Sequence, residues 1–159
     1  MNFAEFKAVD IDGNSRTLAD PDAKSYLVVN VASRCGYTKQ YAGLQTLHAD
    51  LEARGLRIFA FPCNQFGRQE PGSSQEIKSI VQSKYAVSFP MFEKVDVNGE
   101  GRHPLFAWLT ARETRPKGAG DVDWNFEKFL IDRSGQIVGR FPSSAAPEAL
   151  RSELEALLE

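Results

Sequence analysis

The stretch "SYLVVNVASRCGYT", Ser25 to Thr38, decides the fold. Its first part, Ser25–Ser33, is an apolar run rich in β-branched valine. A strand buried on both faces reads this way, whereas a half-exposed strand alternates apolar with polar residues. A cysteine follows, Cys35, in a chain that holds only two. Beyond it Tyr41, Leu44, Leu47 and Leu51 recur at helical spacing and define one apolar face. Gly55 stops that helix, and "LRIFAFP", Leu56–Pro62, is a second buried strand. Strand, helix and strand at this spacing predict a βαβ unit with parallel strands.

The flanking segments complete the pattern. Upstream, "FKAVDIDGNSRTL" (Phe6–Leu18) is a hairpin turning at Asp12-Gly13. Downstream of the polar loop Cys63–Gly72, the residues Ser73-Ser74-Gln75-Glu76 are a capping box. The helix it opens carries Ile77, Ile80, Val81 and Tyr85 on its apolar face. "FPMFEKVDV" (Phe89–Val97) reads as a short strand, and "HPLFAWLTAR" (His103–Arg112) as a third helix with Pro104 near its start. "WNFEKFLID" (Trp124–Asp132) and "GQIVGRF" (Gly135–Phe141) form an antiparallel hairpin across Asp132-Arg133-Ser134-Gly135. A last helix follows Pro147, with Leu150, Leu154, Leu157 and Leu158 inward. The predicted class is α/β: a central mixed sheet with helices on both sides. No repeat or linker divides residues 1–159, which read as a single domain.

Composition narrows the function. The 159 residues are 42% hydrophobic and 25% charged, as in ordinary globular proteins. The net charge of −2 offers no basic surface for nucleic acid. The longest apolar run is too short to span a bilayer. The mixed, charged N-terminus does not read as a signal peptide, so the expected location is the cytosol. In that compartment two cysteines are expected as free thiols.

Cys35 follows the C-terminal end of a buried strand, where open α/β sheets form their ligand sites. A helix N-terminus there and the neighbouring Arg34 both favour the thiolate, the nucleophilic form. The same position also suits a cysteine that merely fills space. Cys63 ends the next strand and expects the same edge of the sheet; it reads as a spectator thiol or as a disulfide partner for Cys35. No C-x-x-C motif occurs. Cys35, Cys63, His48 and His103 lack metal-ligand spacing. His48, in mid-helix, and His103, before Pro104, read as surface or capping residues, and nothing resembles a phosphate-binding glycine loop.

Three blocks taken together are more specific. "NVASRCGYT" (Asn30–Thr38), "FPCNQFGRQEPG" (Phe61–Gly72) and "WNFEKFLID" resemble the signature segments of the glutathione peroxidase family, in that family's order. "KVDVNGEGRHPLFAWL" (Lys94–Leu109) resembles the family's connecting segment. The resemblance runs from the N-terminal hairpin to the last helix. It implies a thioredoxin-like fold and a thiol peroxidase that binds no cofactor. It also implies a catalytic tetrad in which Cys35 is the peroxidatic residue and Gln69, Trp124 and Asn125 are its partners. The side chains suit that chemistry. The two amides and the indole N–H are neutral donors. Converging on a thiolate, they stabilise it, orient the peroxide and support charge on the leaving oxygen. The product is a sulfenic acid, which a second thiol must reduce.

Two departures from the family bear on that second thiol and on substrate. Many non-animal members carry a resolving cysteine at the position of Gln82. Its absence favours direct attack by an outside thiol such as glutathione over reduction by thioredoxin, with Cys63 as the only internal substitute. The segment Thr110–Asp123 is short where larger animal members have an insertion that builds tetramers. A monomer or weak dimer with an open site is expected, one that admits lipid and organic hydroperoxides as well as hydrogen peroxide. An alternative role shares the tetrad: a peroxide sensor that passes oxidation to a partner protein by mixed disulfide. A silent binding module would not need all four residues.

Overall fold

The structure is a computed structural model that describes all 159 residues. Its centre is a four-stranded sheet in the order β4-β3-β5-β6, with β3 Ser25–Val31, β4 Leu56–Pro62, β5 Lys128–Asp132 and β6 Ile137–Phe141. The β3–β4 pair is parallel, with Ser25 opposite Leu56 and Val31 opposite Pro62; β3–β5 and β5–β6 are antiparallel. A separate hairpin of β1 (Lys7–Val9) and β2 (Ser15–Thr17) turns where Asp12-Gly13 predicts.

Four helices flank the sheet: α1 Gln40–Leu51, α2 Ser74–Tyr85, α3 Pro104–Ala111 and α4 Arg151–Leu157. Local chemistry sets their ends. Gly55, at φ +111°, closes the short 3-10 turn that follows α1, in a conformation that favours glycine. Ser73 and Glu76 form the reciprocal capping box of α2. His103 caps α3 by accepting the Leu105 N–H at 3.1 Å. The final helix opens as a 3-10 turn over Pro147–Leu150 before becoming α-helical.

Because successive strand residues point to opposite faces, the sheet has two cores. Leu27, Val29 and Val31 of β3, Ile58 and Ala60 of β4, and Leu130 of β5 face α1, α2 and α4. Tyr26, Val28, Phe59, Phe61, Phe129 and Ile131 face α3 and the N-terminal Phe3 and Phe6. Most of the expected helix faces hold: Tyr41, Leu44, Leu47, Leu51, Ile77, Val81, Leu150, Leu154 and Leu158 join the first core, with Tyr85 and Leu157 partly buried against it, whereas Ile80 is half-buried outside it. No helix is long and apolar enough to cross a membrane.

Two expectations are corrected. Phe89–Val97 is not a strand: it touches β4 through an isolated parallel bridge, Met91 to Ala60, and the hairpin through an isolated antiparallel one, Phe92 to Asp10. Pro90 has no N–H to donate, so the ladder to β4 stops there: the Pro90 carbonyl accepts from Ala60 N and Phe92 N donates to Ala60 O. The rest of the segment makes scattered bonds, Val95 N to Pro62 O on β4 and Glu93 N to Val9 O on the hairpin. His48 is neither a surface nor a capping residue. It is buried edge-to-face on Phe89, with Nε2 3.5 Å from Glu52, and burial lowers its pKa.

Candidate active site

Three loops meet at the C-terminal end of β3 and β4. The first runs from Ala32 to Lys39. Instead of entering α1 directly, the chain makes a tight turn closed by Thr38, whose Oγ1 accepts the Cys35 N–H at 2.8 Å and donates to the Ala32 carbonyl at 2.8 Å. The helix therefore begins at Gln40, and its macrodipole, which fades within one turn, is not what stands beside the thiol. A local amide takes that place: the Tyr37 N–H donates to Cys35 Sγ at 3.3 Å. Cys35 is half-buried and a free thiol.

The second loop, Asn64–Gly72, is joined to the first through its backbone. The Arg34 N–H donates to the Gln69 carbonyl at 3.0 Å. The next residue, Glu70, is fully buried, accepts the Ser33 N–H at 3.0 Å through Oε1, and gives its own N–H to Asn64 Oδ1 at 2.9 Å. Burial raises the Glu70 pKa, and the Ser33 hydrogen bonds hold it back. Gly67 is required twice over: its φ is +66°, and a Cβ there would stand 3.2 Å from Trp124 Cη2 and 3.4 Å from Gln69 Nε2. The Trp124 ring and the Gln69 amide thus close on one backbone spot.

The third loop supplies Trp124 and Asn125. Asn30, buried at the end of β3, fixes it by donating to the Trp124 carbonyl at 3.0 Å and accepting the Phe126 N–H at 2.6 Å. Trp124 is 36% exposed, with its ring centroid 5.8 Å from that of Phe66. Asn125 is fully buried; its Nδ2 donates to Gln69 Oε1 at 3.0 Å. That bond engages the Gln69 oxygen and leaves its NH₂ as the remaining donor, so Asn125 acts on Gln69. A cleft of about 260 Å³ opens beside Trp124, lined by Tyr37, Asp123, Trp124, Glu127, Pro142, Ser143 and Ser144.

Below this loop lies a charge network. Arg140, fully buried, pairs with Glu127 at 2.7 Å and donates to the carbonyls of Gly118, Gly120 and Asp121, while its guanidinium stacks 4.9 Å from the Phe129 centroid. Lys117 joins Glu127 and Asp123. The short Thr110–Asp123 segment is thereby fastened to β6 under Trp124.

Cys63 is placed on the same sheet end but on the other face. It continues the Phe59–Phe61 alternation into the core beside α3, whereas Cys35 packs against the core beside α1. Its thiol donates to Gln65 Oε1 at 3.4 Å, and burial raises its pKa. Sequence reading missed Thr38, Tyr37 and Glu70. The Cys-x-x-Thr spacing is a usable signal for the first; a glutamate in a polar loop carries none for the last. No three His, Cys, Asp or Glu side chains gather as metal ligands would.

Comparison with known proteins bears on this arrangement. The family model described as glutathione peroxidase matches residues 3–110. The hydroperoxy fatty acid reductase gpx1 of Synechocystis sp. is 48% identical over 158 residues, 96% of this chain and 94% of that protein. The crystal structure of T. cruzi GPX1 is similar at TM-score 0.80 and 35% identity, over 99% of this chain and 97% of that one. A thioredoxin-family thiol:disulfide interchange protein from Chlorobium tepidum reaches TM-score 0.71 at 16% identity, over 97% and 93% of the two chains, a likeness of fold alone.

Proposed function

The chain belongs to the glutathione peroxidase family and is a thiol peroxidase acting on hydroperoxides; from that premise we propose that Cys35 is its nucleophile, with Gln69 and Trp124 facing the peroxide and Asn125 positioning Gln69. The observation that carries this reading is the Asn125–Gln69 bond beside Trp124, on a loop tied by Gln69 to Arg34, the residue before Cys35. The Cys35 thiolate attacks one peroxide oxygen, the O–O bond breaks, and the departing alkoxide or hydroxide takes up the proton the thiol released. The products are an alcohol or water and the Cys35 sulfenic acid. Donors preset for the leaving oxygen lower the barrier because they need no reorganisation at the moment of bond breaking.

Regeneration falls to an outside thiol. Gln82 stands where a resolving cysteine would be, and Cys63 is sealed in the opposite core. One thiol displaces water from the sulfenic acid to give a mixed disulfide, and a second releases Cys35 by exchange. Glutathione is the reductant this favours over thioredoxin, with the protein acting in the cytosol as a monomer or weak dimer. The open cleft beside Trp124 and the name of the Synechocystis relative both support organic and fatty acid hydroperoxides as substrates alongside hydrogen peroxide.

The test is intact mass after one equivalent of hydroperoxide, with Cys35→Ser beside the wild type. A gain of one oxygen in the wild type alone is expected. A loss of two hydrogens would transfer resolution to Cys63, and no change in either protein would overturn Cys35 as the nucleophile.

A further inference from the structure

Lys128 is out of place by every compositional rule. It lies on β5 between Phe126 and Leu130, on the face that builds the core beside α1 and α4, and is fully buried. A core lysine is expensive unless its charge is met. The other fully buried cation, Arg140, has Glu127 at 2.7 Å and three backbone carbonyls. Lys128 has two carbonyls: Nζ donates to Ser143 O at 3.1 Å and to Ala145 O at 2.6 Å. Desolvation brings its pKa down to about 7, with Glu127 and Glu148 acting in the opposite sense. An apolar residue would fill the position at less cost, so stability does not explain the lysine. Residues that break a packing rule without gain in stability concentrate at functional sites.

What the lysine holds explains it. The chain leaves β6 at Phe141, which is opposite Lys128 in the sheet register, and turns through Pro142–Ala146. Pro142, Ser143 and Ser144 line the cleft beside Trp124; Ser144 and Ala146 line an adjoining cleft of about 400 Å³ that runs along Tyr37, Gln40 and Gly43 to Pro147. One short turn is therefore the common wall of both openings, and Tyr37, whose N–H touches the Cys35 sulfur, faces it. The turn has two anchors. Lys128 holds the Ser143 and Ala145 carbonyls from the core side, and Gln40 Nε2 donates to the same Ser143 carbonyl at 2.9 Å from α1.

Resting on the peroxidase reading above, we propose that Lys128 is a positioning residue for the substrate cleft: through the Ser143 and Ala145 carbonyls it sets the wall against which a bulky hydroperoxide rests. Small peroxides reach Cys35 without leaning on that wall. Lys128 thus acts on specificity, and hydrogen bonds from a rigid strand hold the wall more firmly than an apolar contact does.

The experiment compares kcat/KM for cumene hydroperoxide with kcat/KM for hydrogen peroxide in wild type, Lys128→Met and Gln40→Leu. Methionine keeps the volume and removes the donor. In Lys128→Met the cumene-to-hydrogen-peroxide ratio is expected to fall about tenfold, mostly through KM; in Gln40→Leu, which removes the weaker anchor, about threefold. A purely structural role lowers both substrates by one factor, and an unmoved ratio in folded Lys128→Met overturns the proposal. If that variant does not fold, an unmoved ratio in Gln40→Leu overturns it equally. Absence of hydrogen peroxide turnover in the wild type is a different result: it would remove the peroxidase reading itself.

Discussion

The chain's two cysteines follow adjacent parallel strands, and how far each lies beyond its strand separates their fates. Cys35 lies four residues beyond Val31, in a turn on the α1 face, half-exposed, with an amide N–H at its sulfur. Cys63 follows Pro62 directly, and the alternation of β4 sends it into the α3 core, where burial disfavours its thiolate. Proximity along a sheet edge does not bring two thiols together: Cys35 and Cys63 pack on opposite faces of the sheet. The same contrast separates the two buried cations. Arg140 is satisfied in a network beneath the site, whereas Lys128 is left with two carbonyls on the wall of the cleft.

The sharpest way to break this comparison is to exchange the roles of the two thiols. Cys35→Ser is expected to lose on the order of a thousandfold or more in peroxidase turnover. Cys63→Ala is expected to keep kcat/KM and to lose about 1 kcal/mol of stability from its small cavity, read by denaturant titration. Alkylation of the native protein should label Cys35 alone. An inactive Cys63→Ala that remains folded would reinstate it as a resolving residue.

Next in size are the amides. Gln69→Ala should lower kcat/KM for hydrogen peroxide by about a hundredfold, the scale of losing a preset donor. Asn125→Ala should follow in the same direction with a smaller loss, because it acts through Gln69. Stopped-flow oxidation of Cys35 measures both. A loss in Asn125→Ala that exceeds that in Gln69→Ala would give Asn125 its own contact with substrate.

The smallest effect concerns the two cations. The folded-state pKa of Lys128, about 7, lies below its ordinary 10.5, so between these values the unfolded chain binds more protons. Stability from this group therefore increases as pH rises from about 7 toward 10.5 and is absent below 7. Lys128→Met should flatten that part of the Tm–pH curve and be the more stable protein at pH 6. Equal slopes in the two proteins would show that Lys128 stays charged throughout.

Much of this was legible from residue order. Apolar runs in β3 and β4, the Asp12-Gly13 turn, the Ser73–Glu76 box and the helix faces report local and periodic chemistry, and each element forms where that chemistry places it. The exceptions have local causes of their own. Phe89–Val97 has the composition of a strand, but Pro90 interrupts its pairing. His48 reads as a surface residue because one imidazole carries no periodic signal, and packing on Phe89 decided its burial. The site divides in the same way. Cys35, Gln69, Trp124 and Asn125 are singled out by the resemblance to the glutathione peroxidase family, and their types suit peroxide chemistry, but their arrangement does not follow from their types.

Residue order alone settled the class of fold and the ends of most elements, because periodicity, caps and turns act over a few neighbouring positions; it pointed to Cys35 as the candidate nucleophile only through the resemblance of three sequence blocks to a family. Only the tertiary structure decided that Cys63 faces away from Cys35, that Asn125 addresses Gln69, and that Thr38 and Glu70 hold the cysteine turn. It alone placed the Lys128 charge beneath the Pro142–Ala146 wall. Each of these depends on contacts between residues far apart in the chain, formed when strands register and loops meet at one end of the sheet, and on the cost of burying a polar group that must then find its partner there.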